Sequence, residues 1–293
     1  AYFLGLRKIG ATIIRAGSGQ PALVAGLILQ QRPNILVGVP SMFLALAHQL
    51  LERGQKPAEL GIDKLICIGE PIRDADMNLS ALGLALQKSW QAQILSTYAS
   101  TEMATAFGEC TAGWGGHLLP ELMRVEIVDD QGQPVIDGQV GEVVATPLGI
   151  EGTPLLRYRT GDISRMHSEP CSCGRQTPRI GPILGRRAQM LKCRGTTLFP
   201  AAISNVLQEI SAVRGHYLEV YPDFDLSDRL RVVIGCCDSS LSAASIADQI
   251  AAKTRVKPEV ILATPEEIRN KTIRPDQRKP LIFFDYRNLE QEL

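Results

Sequence analysis

Short apolar runs alternate with helical segments over the first third of the chain, and this alternation limits the possible folds more than any other feature. The apolar runs are residues 34–39 (NILVGV), 64–68 (KLICI) and 93–98. Helical patterns follow the first two runs, over residues 41–52, which Ser41 would cap, and over residues 72–90. Apolar strands that alternate with helices predict an α/β fold with a mainly parallel sheet flanked by helices.

Polar residues follow two of these runs, at the edge where parallel sheets bind their ligands. Gly69, Glu70 and Pro71 come directly after the second run, and residues 98–102 (YASTE) begin where the third run ends. We therefore expect a binding site at this edge of the sheet.

Residues 156–162 (LRYRTGD) combine two arginines, a Thr-Gly turn and a carboxylate at the end of an apolar run. Asp162 at a strand end could accept two hydrogen bonds from a ribose diol, and an arginine fork suits phosphate or carboxylate. A solvated turn held by a salt bridge explains the same residues, so this stretch alone leaves both interpretations open.

The pattern changes twice in the rest of the chain. Residues 123–129 and 140–147 alternate apolar and polar side chains between glycine turns, which indicates a small antiparallel sheet or barrel. From about residue 190, strands and helices form a unit of about 100 residues, a usual domain size. We therefore expect one domain over residues 1–187 and a small α+β domain over residues 188–293.

Composition argues against several partners and compartments. The 293 residues include 31 basic and 31 acidic side chains, so no net charge directs the chain to nucleic acid or to an anionic membrane. No apolar run approaches the roughly 18 residues of a membrane span, and no signal peptide is recognisable. The seven cysteines are odd in number and partly adjacent, which favours a reducing, cytoplasmic location over a disulfide framework.

Three cysteines and one histidine form a candidate zinc site. Thiolates and a neutral imidazole are the ligands that zinc prefers, and Cys-x-Cys-Gly with a second Cys/His pair is uncommon by chance. Four protein ligands would make the site closed and structural rather than catalytic. In the alternative interpretation the first cysteine is a small core residue and the other two are loop thiols. The candidate ligands are Cys110, His117, Cys171 and Cys173.

A series of short motifs runs through the chain in one order. The motifs are Tyr98-x-x-Thr101-Glu102, Arg159-Thr160-Gly161-Asp162, Gly185-Arg186, Lys192-x-x-Gly195 and Lys279, with Gly69-Glu70-Pro71, Glu109-Cys110, residues 154–160, Cys171-x-Cys173-Gly174-Arg175 and Leu198-Phe199-Pro200. In order and spacing they resemble the adenylate-forming superfamily, which includes acyl-CoA synthetases, the adenylation domains of peptide synthetases and luciferase. The resemblance is closest to the phenylacetate–CoA ligase branch and covers nearly the whole chain.

The resemblance implies an enzyme that activates a carboxylic acid, an aryl or related acid, with ATP. The products would be an acyl-adenylate and pyrophosphate, followed by a thioester with CoA. It also implies that Tyr98 stacks on adenine and that the backbone of residues 69–71 lines the adenine edge. Asp162 would bind the ribose of the AMP portion, with Arg186 nearby.

Thr101, Glu102 and Lys279 are the catalytic residues that the resemblance implies. Glu102 would hold Mg²⁺ against the phosphates, and a lysine would stabilise the charge that builds on the α-phosphate. Arg278 stands where the family usually has glycine before this lysine, so Lys271 on the same segment remains an alternative.

In the family, the small domain rotates between an adenylating and a thioester-forming pose. The hinge position falls at Ala188, where the family commonly has an acidic residue or lysine. Gly195 would line the tunnel for a pantetheine arm, since glycine permits close approach. Because Ala188 departs from the family's hinge residue, the acyl acceptor stays open between CoA and an amine, a carrier protein or a reductase. The choice between a monomer and a homodimer also stays open.

The family's Ser/Thr/Gly-rich phosphate loop has no counterpart in residues 1–40. Because the chain begins with Ala1 rather than Met, we expect that loop to lie upstream. A second hypothesis, from another functional class, is a catalytically impaired homologue that keeps the nucleotide pocket and the zinc fold without turnover.

Overall fold

The computed structural model divides into two compact units, residues 1–183 and residues 184–293. The residues that the structure describes are 2–17, 20–193, 195–223, 227–237, 241–274 and 280–287. The sequence-based boundary, between residues 187 and 188, falls just after the observed division.

Helices and strands are mixed along the whole chain. The helices are α1 (Tyr2–Lys8), α2 (Pro21–Gln31), α3 (Pro40–Glu52), α4 (Ala81–Trp90), α5 (Pro200–Gln208), α6 (Ala243–Thr254) and α7 (Pro265–Thr272). The strands are β1 (Ile35–Gly38), β2 (Lys64–Ile68), β3 (Gln93–Ala99), β4 (Ala106–Gly108), β5 (Gly116–His117), β6 (Met123–Val128), β7 (Gly141–Pro147), β8 (Tyr158–Ser164), β9 (Met166–His167), β10 (Arg179–Ile180), β11 (Gly185–Arg186), β12 (Leu191–Cys193), β13 (Thr196–Leu198), β14 (Val213–Pro222), β15 (Asp228–Cys236), β16 (Glu259–Ala263) and β17 (Phe283–Asp285). Among the described residues, no helix has both the length and the apolar character needed to cross a bilayer.

The first sheet of unit 1 is mainly parallel. Its order is β1-β2-β3-β4, with the first three strands parallel and β4 antiparallel to β3. Side chains of α2, α3 and α4 pack on it in one apolar core that includes Phe43, Leu65 and Trp90. Each fully buried large apolar side chain contributes roughly 1.5–3 kcal/mol to folding. The predicted parallel sheet flanked by helices is confirmed.

The helix predicted over residues 72–90 is shorter than expected, because α4 begins only at Ala81. Asp74 accounts for part of the difference: its carboxylate accepts the backbone N–H of Asn78 at 2.9 Å. Such side-chain to backbone bonds offer an alternative to the helical ladder. Ser80 then caps the helix by accepting the N–H of the third residue beyond it at 3.3 Å.

The rest of unit 1 is antiparallel, as predicted. One sheet contains β6, β7 and β8, and a second contains β5, β10 and β9 in that order. Their shared core includes Met103, Phe107, Val143 and Ile180. Two separate small sheets thus replace the single sheet or barrel that the pattern suggested.

Residues 156–162 do not form the predicted turn at a strand end. Instead β8 begins at Tyr158 and continues through Asp162. Its register with β7 shifts along the pair, and Gly161 has a φ of +75°, in the left-handed region that glycine tolerates. A bulge of this kind bends a strand and redirects the neighbouring side chain, here that of Asp162.

Unit 2 is a mixed α+β unit. Its main sheet has the order β16-β15-β14-β17, with an antiparallel central pair and a parallel strand on each side. Helices α5 and α6 pack on the sheet through Ile203, Ile246 and Ile250. Helix α7 and strand β17 were not predicted from the sequence.

We expect unit 2 to lose stability below pH 6.5 because of His216. Burial lowers the pKa of this imidazole from 6.5 to about 4. The folded state therefore favours the neutral ring, so this contribution is complete above pH 6.5 and is lost as the pH falls towards 4. A shift of that size corresponds to about 3 kcal/mol.

An NMR titration of the His216 ring should give a midpoint near pH 4. The free energy of unfolding measured with urea should fall as the pH is lowered from 6.5 towards 4. The variant His216→Gln should remove that part of the pH dependence, because glutamine does not titrate. A midpoint near 6.5 in the folded protein would contradict the expectation.

Candidate active site and metal centre

The loop after β2 and the end of β3 lie side by side in unit 1. Ile68 is paired with Thr97, so Gly69 follows directly beside Tyr98. Gly69 has a φ of +77°, which lets the chain turn sharply at the strand end. The sheet edge expected to bind a ligand therefore carries both predicted adenine-binding elements.

Asp162 also belongs to this group. The Tyr98 hydroxyl donates a hydrogen bond to Asp162 Oδ2 at 2.9 Å, across 64 positions of sequence. Tyr98 is also 6.2 Å from Phe107 between ring centroids, in a tilted arrangement. This hydrogen bond holds an aromatic ring beside a carboxylate. The ring could stack on a base, and the carboxylate could accept hydrogen bonds from a ribose.

A buried carboxylate holds the bulge that positions Asp162. Glu142 on β7 is only 4% exposed. Its Oε1 accepts the Gly161 N–H at 3.2 Å, and its Oε2 accepts Arg159 Nε at 2.9 Å. The Thr160 hydroxyl donates to the carbonyl of Val143 at 2.9 Å. Side-chain bonds therefore replace part of the strand pairing that the bulge interrupts.

The two arginines of the stretch 156–162 have structural partners. Arg159 forms a two-nitrogen contact with Glu142. Arg157 Nε lies 3.3 Å from Glu126 Oε2, and its Nη2 donates to the carbonyl of Gly132 at 2.9 Å. The sequence left two roles open for these arginines, binding of phosphate and stabilisation of the strand by salt bridges. Their contacts favour the second role.

Glu70 uses its side chain to fix the loop after β2. Its two carboxylate oxygens accept the backbone N–H and the hydroxyl of Ser41, each at 2.9 Å. Ser41 is therefore not the helix cap that was predicted: Val39 occupies the cap position and Pro40 the first turn of α3. Glu70 supplies the negative charge that favours a helix N-terminus.

We expect Glu70→Gln to destabilise unit 1 by about 1 kcal/mol, because it removes a charged cap from α3. Glu52→Gln is the matched control: it neutralises a carboxylate at the opposite end of the same helix, where negative charge is unfavourable. Urea unfolding of both variants measures the difference. Equal destabilisation by the two substitutions would contradict a capping role for Glu70.

Thr101 and Glu102 lie in an exposed turn directly after β3. The turn is held in part by the Ser100 hydroxyl, which accepts the Met103 N–H at 3.3 Å. Because this turn continues from the strand of Tyr98, Glu102 belongs to the same sheet edge as the predicted adenine-binding elements.

Two predicted binding residues and the predicted hinge lie in unit 2. Arg186 and Gly195 are both exposed. Gly195 has a φ of +80°, and open space surrounds its missing side chain. The carbonyl of Ala188, at the predicted hinge, accepts Arg287 Nη2 at 3.2 Å.

The lysine assignment stays a prediction. Lys279 lies outside the described residues. The alternative, Lys271, has its ammonium 4.8 Å from the ring centroid of Phe284 and 5.9 Å from that of Tyr217. These cation–π contacts give Lys271 a structural role within unit 2.

The four candidate metal ligands meet in unit 1, with their ligand atoms all within 4.8 Å of one another. Cys110 Sγ is 3.6 Å from Cys171 Sγ, and Cys173 Sγ is 3.5 Å from His117 Nε2. A tetrahedral zinc ion with usual bond lengths would separate two sulfurs by about 3.8 Å and a sulfur from a nitrogen by about 3.6 Å. The side chains present therefore fit zinc.

Arg179 holds the two ligand loops together. It pairs with His117 across β5 and β10 and is only 4% exposed. Its guanidinium donates to the carbonyl of Trp114 at 3.3 Å and to that of Glu169 at 2.7 Å. Trp114 lies between the first two ligands in sequence, and Glu169 shortly precedes the other two. The site is thus assembled by the fold.

The surroundings of the ligands suit metal binding. His117 Nδ1 is 3.1 Å from the Thr177 hydroxyl, which leaves Nε2 facing the cysteines. Burial, followed by the charges of Arg175 and Arg179, lowers the pKa of His117 and keeps it neutral. A backbone hydrogen bond from Arg175 is the main cause that lowers the pKa of Cys173 to about 7.

Other cysteines behave as packing residues. Cys67 and Cys193 are buried, and burial raises the pKa of their thiols to about 12 and about 11. Both thiols therefore stay protonated and unreactive at neutral pH.

Sequence reasoning assigned no role to an ion pair beside the metal ligands. Arg73 Nε is 2.6 Å from Glu109 Oε1, and the side chains are 12% and 2% exposed. The motif Glu109-Cys110 held only a partial signal, since it places a carboxylate directly before a candidate metal ligand.

Comparison with known proteins gives consistent matches. The family described as AMP-binding enzyme matches residues 2–149, about half of the chain. Phenylacetate-coenzyme A ligase of Thermus thermophilus is 35% identical over 216 residues, which cover 73% of this chain and 47% of that protein. The ligase of the same name from Escherichia coli K12 is 29% identical over an alignment 301 positions long, which covers 97% of this chain and 65% of the relative.

The fold also matches a solved structure, that of 2-hydroxyisobutyryl-CoA ligase in the postadenylation state in complex with R3-HIB-AMP. The TM-score is 0.79 at 22% identity, and the match covers 98% of this chain and 62% of the other. The chain spans about half the length of the curated relatives it matches. The family model matches half of the chain, the motifs stand in their expected order and the fold is shared. The chain therefore belongs to the AMP-binding enzyme family, in the phenylacetate–CoA ligase-like branch of the adenylate-forming superfamily.

Proposed function

We propose that the protein to which this chain belongs activates a carboxylic acid, most suitably an aryl acid, with ATP and then transfers the acyl group to CoA. The observation that carries the proposal is the contact between Tyr98 and Asp162 at 2.9 Å beside the loop of Gly69. It brings a base-stacking ring and a ribose-binding carboxylate to one sheet edge. The names of the relatives, phenylacetate-coenzyme A ligases, support the substrate class.

In the first step, a carboxylate oxygen of the acid forms a bond to the α-phosphorus of ATP, and the bond from that phosphorus to the bridging oxygen breaks. Pyrophosphate leaves with the electron pair, and the acyl-adenylate remains. Tyr98 and the backbone of residues 69–71 hold the adenine, and Asp162 accepts the ribose hydroxyls. These contacts fix the α-phosphorus relative to the acid, which lowers the entropic part of the barrier.

Glu102, with Thr101 beside it, would hold Mg²⁺, which neutralises phosphate charge when bound. Glu102 lies in the exposed turn that follows β3. We assign the stabilisation of charge on the α-phosphate to Lys279, with Arg186 near the nucleotide.

In the second step, the CoA thiol loses its proton to solvent and its sulfur forms a bond to the acyl carbon. The bond from that carbon to the AMP oxygen breaks, and AMP leaves with the electron pair. We propose that residues 1–187 form the C-terminal portion of the large adenylating domain and residues 188–293 a small mobile domain. Gly195 would line the pantetheine path, because its positive φ and open surroundings allow a ligand to approach the backbone closely.

We also propose a structural zinc ion on Cys110, His117, Cys171 and Cys173, because the spacing of their ligand atoms fits a tetrahedral ion. We further propose a cytoplasmic location, because the seven cysteines are odd in number and partly adjacent, which disfavours a disulfide framework.

ATP–pyrophosphate exchange by the full-length polypeptide, with a panel of aryl acids, tests the activation step. We expect acid-dependent exchange with at least one of them. AMP binding without exchange for any acid would instead support the impaired homologue. Product analysis with CoA, an amine and a carrier protein separates the acceptors, and sedimentation velocity tests the homodimer.

A further inference from the structure

A buried ion pair joins the metal-ligand loop to the segment after β2. Arg73 approaches Glu109 with two nitrogens, at 2.6 Å from Oε1 and 3.2 Å from Oε2. The Glu109 side chain is 2% exposed and that of Arg73 is 12% exposed. Water therefore cannot adequately solvate either charge when its partner is removed. Loss of one partner is therefore much more disruptive here than at a surface pair.

Glu109 also contacts the strand of the adenine-stacking tyrosine. Its Oε2 accepts the Ser96 N–H at 2.9 Å, and its own N–H donates to the Ser96 carbonyl at 2.9 Å. Ser96 precedes Tyr98 by two positions on β3, and Cys110 is the next residue after Glu109. One carboxylate therefore contacts the nucleotide strand and adjoins a metal ligand.

Arg73 is enclosed by the same two regions. Its Nη1 donates to the carbonyl of Met77 at 3.0 Å, which closes the turn after β2. Gly113, between two metal ligands in sequence, packs so tightly that an added Cβ would lie 2.6 Å from Arg73 Nη2. The ligand loop thus rests on the guanidinium that holds the Met77 carbonyl, and Arg73 itself follows Pro71 by two positions.

We propose, resting on the nucleotide and zinc assignments above, that Glu109 and Arg73 are positioning residues that couple zinc binding to nucleotide binding. Zinc fixes the loop from Cys110 to His117, and this loop fixes Arg73 and with it the adenine-binding backbone. By linkage, zinc raises the affinity for AMP and AMP raises the affinity for zinc by the same factor. We expect a factor of about 10, within the usual range for coupled sites.

Hydrogen exchange without any nucleotide tests the coupling directly. The Ser80 N–H donates to the Ile72 carbonyl at 2.9 Å, so it reports on the turn after β2. In Glu109→Gln that still holds zinc, exchange at Ser80 should be about 10-fold faster than in the wild-type protein. Chelation of zinc should have the same effect on the wild-type protein and little further effect on the variant. Unchanged exchange in both comparisons would overturn the proposal.

Calorimetry with AMP and with Zn²⁺ supplies the second readout. AMP should bind the zinc-loaded wild-type protein about 10-fold more tightly than it binds zinc-loaded Glu109→Gln or Arg73→Lys. Arg73→Lys keeps the charge but loses the two-nitrogen contact, so it still tests the coupling if Glu109→Gln fails to fold. The control Lys56→Gln breaks an exposed ion pair of the same unit and should keep the wild-type coupling.

The outcomes separate the two proposals. If AMP fails to bind the wild-type protein while Ser80 still responds to zinc, the nucleotide assignment is wrong and the link between the two loops stands. If AMP binds equally well with and without zinc, and in the variants, the ion pair is only structural and the coupling is refuted.

Discussion

Asp162→Asn is expected to reduce acyl-adenylate formation by about 100-fold or more. A carboxylate that accepts two ribose hydroxyls makes two charge-assisted hydrogen bonds, each about 1.5–3 kcal/mol, and every 1.4 kcal/mol is about tenfold. Asparagine keeps an oxygen that can accept the Tyr98 hydroxyl, so the fold should persist. ATP–pyrophosphate exchange measures the loss, and calorimetry with AMP measures the binding part of it.

Asp137→Asn is the matched control for this substitution. Asp137 is another carboxylate of unit 1 that accepts two hydrogen bonds, from the backbone and the hydroxyl of Ser168 at 3.1 and 2.7 Å. It lies in a loop outside the proposed site, so its variant should keep normal exchange. Near-normal activity in Asp162→Asn would remove the ribose assignment.

Cys171→Ser is expected to abolish zinc binding and to destabilise unit 1 by about 3 kcal/mol or more. A closed site contributes its binding free energy to folding, and serine is a poor replacement for a thiolate ligand. Elemental analysis should find one zinc per wild-type chain and none in the variant, and urea unfolding should show the lower stability.

Cys237→Ser provides the comparison, because Cys237 is exposed and distant in sequence from the cluster. That variant should keep its zinc and its stability. A wild-type protein that is metal-free yet fully folded would refute the zinc assignment.

The parallel sheet was predictable from the sequence because its strands are continuous apolar runs. The predicted bounds of residues 64–68 agree with β2. The start of α4 was missed because a local bond from Asp74 competes with helical bonding, and apolar spacing does not register it. Helix α7 had a readable signal that was overlooked, the capping box of Thr264 and Glu267.

The candidate site was predictable as a set of residue types but not as a set of contacts. Asp162 and Tyr98 were both singled out, yet their hydrogen bond depends on a bulge whose only local sign is Gly161. The ion pair between Arg73 and Glu109 joins residues 36 positions apart, and no periodicity links them. Buried polar pairing is a property of the folded chain, so the sequence supplies only its members.

The arrangement of the ligand loops has a kinetic consequence. Cys110 and Cys171 are 61 positions apart, and the pairing of β5 with β10 that brings their loops together joins residues such as His117 and Arg179. Contacts of such long range form late, because the chain must first close a large loop. A zinc ion at the proposed site would stabilise a contact that is absent from the transition state, so its removal should accelerate unfolding while the refolding rate changes little.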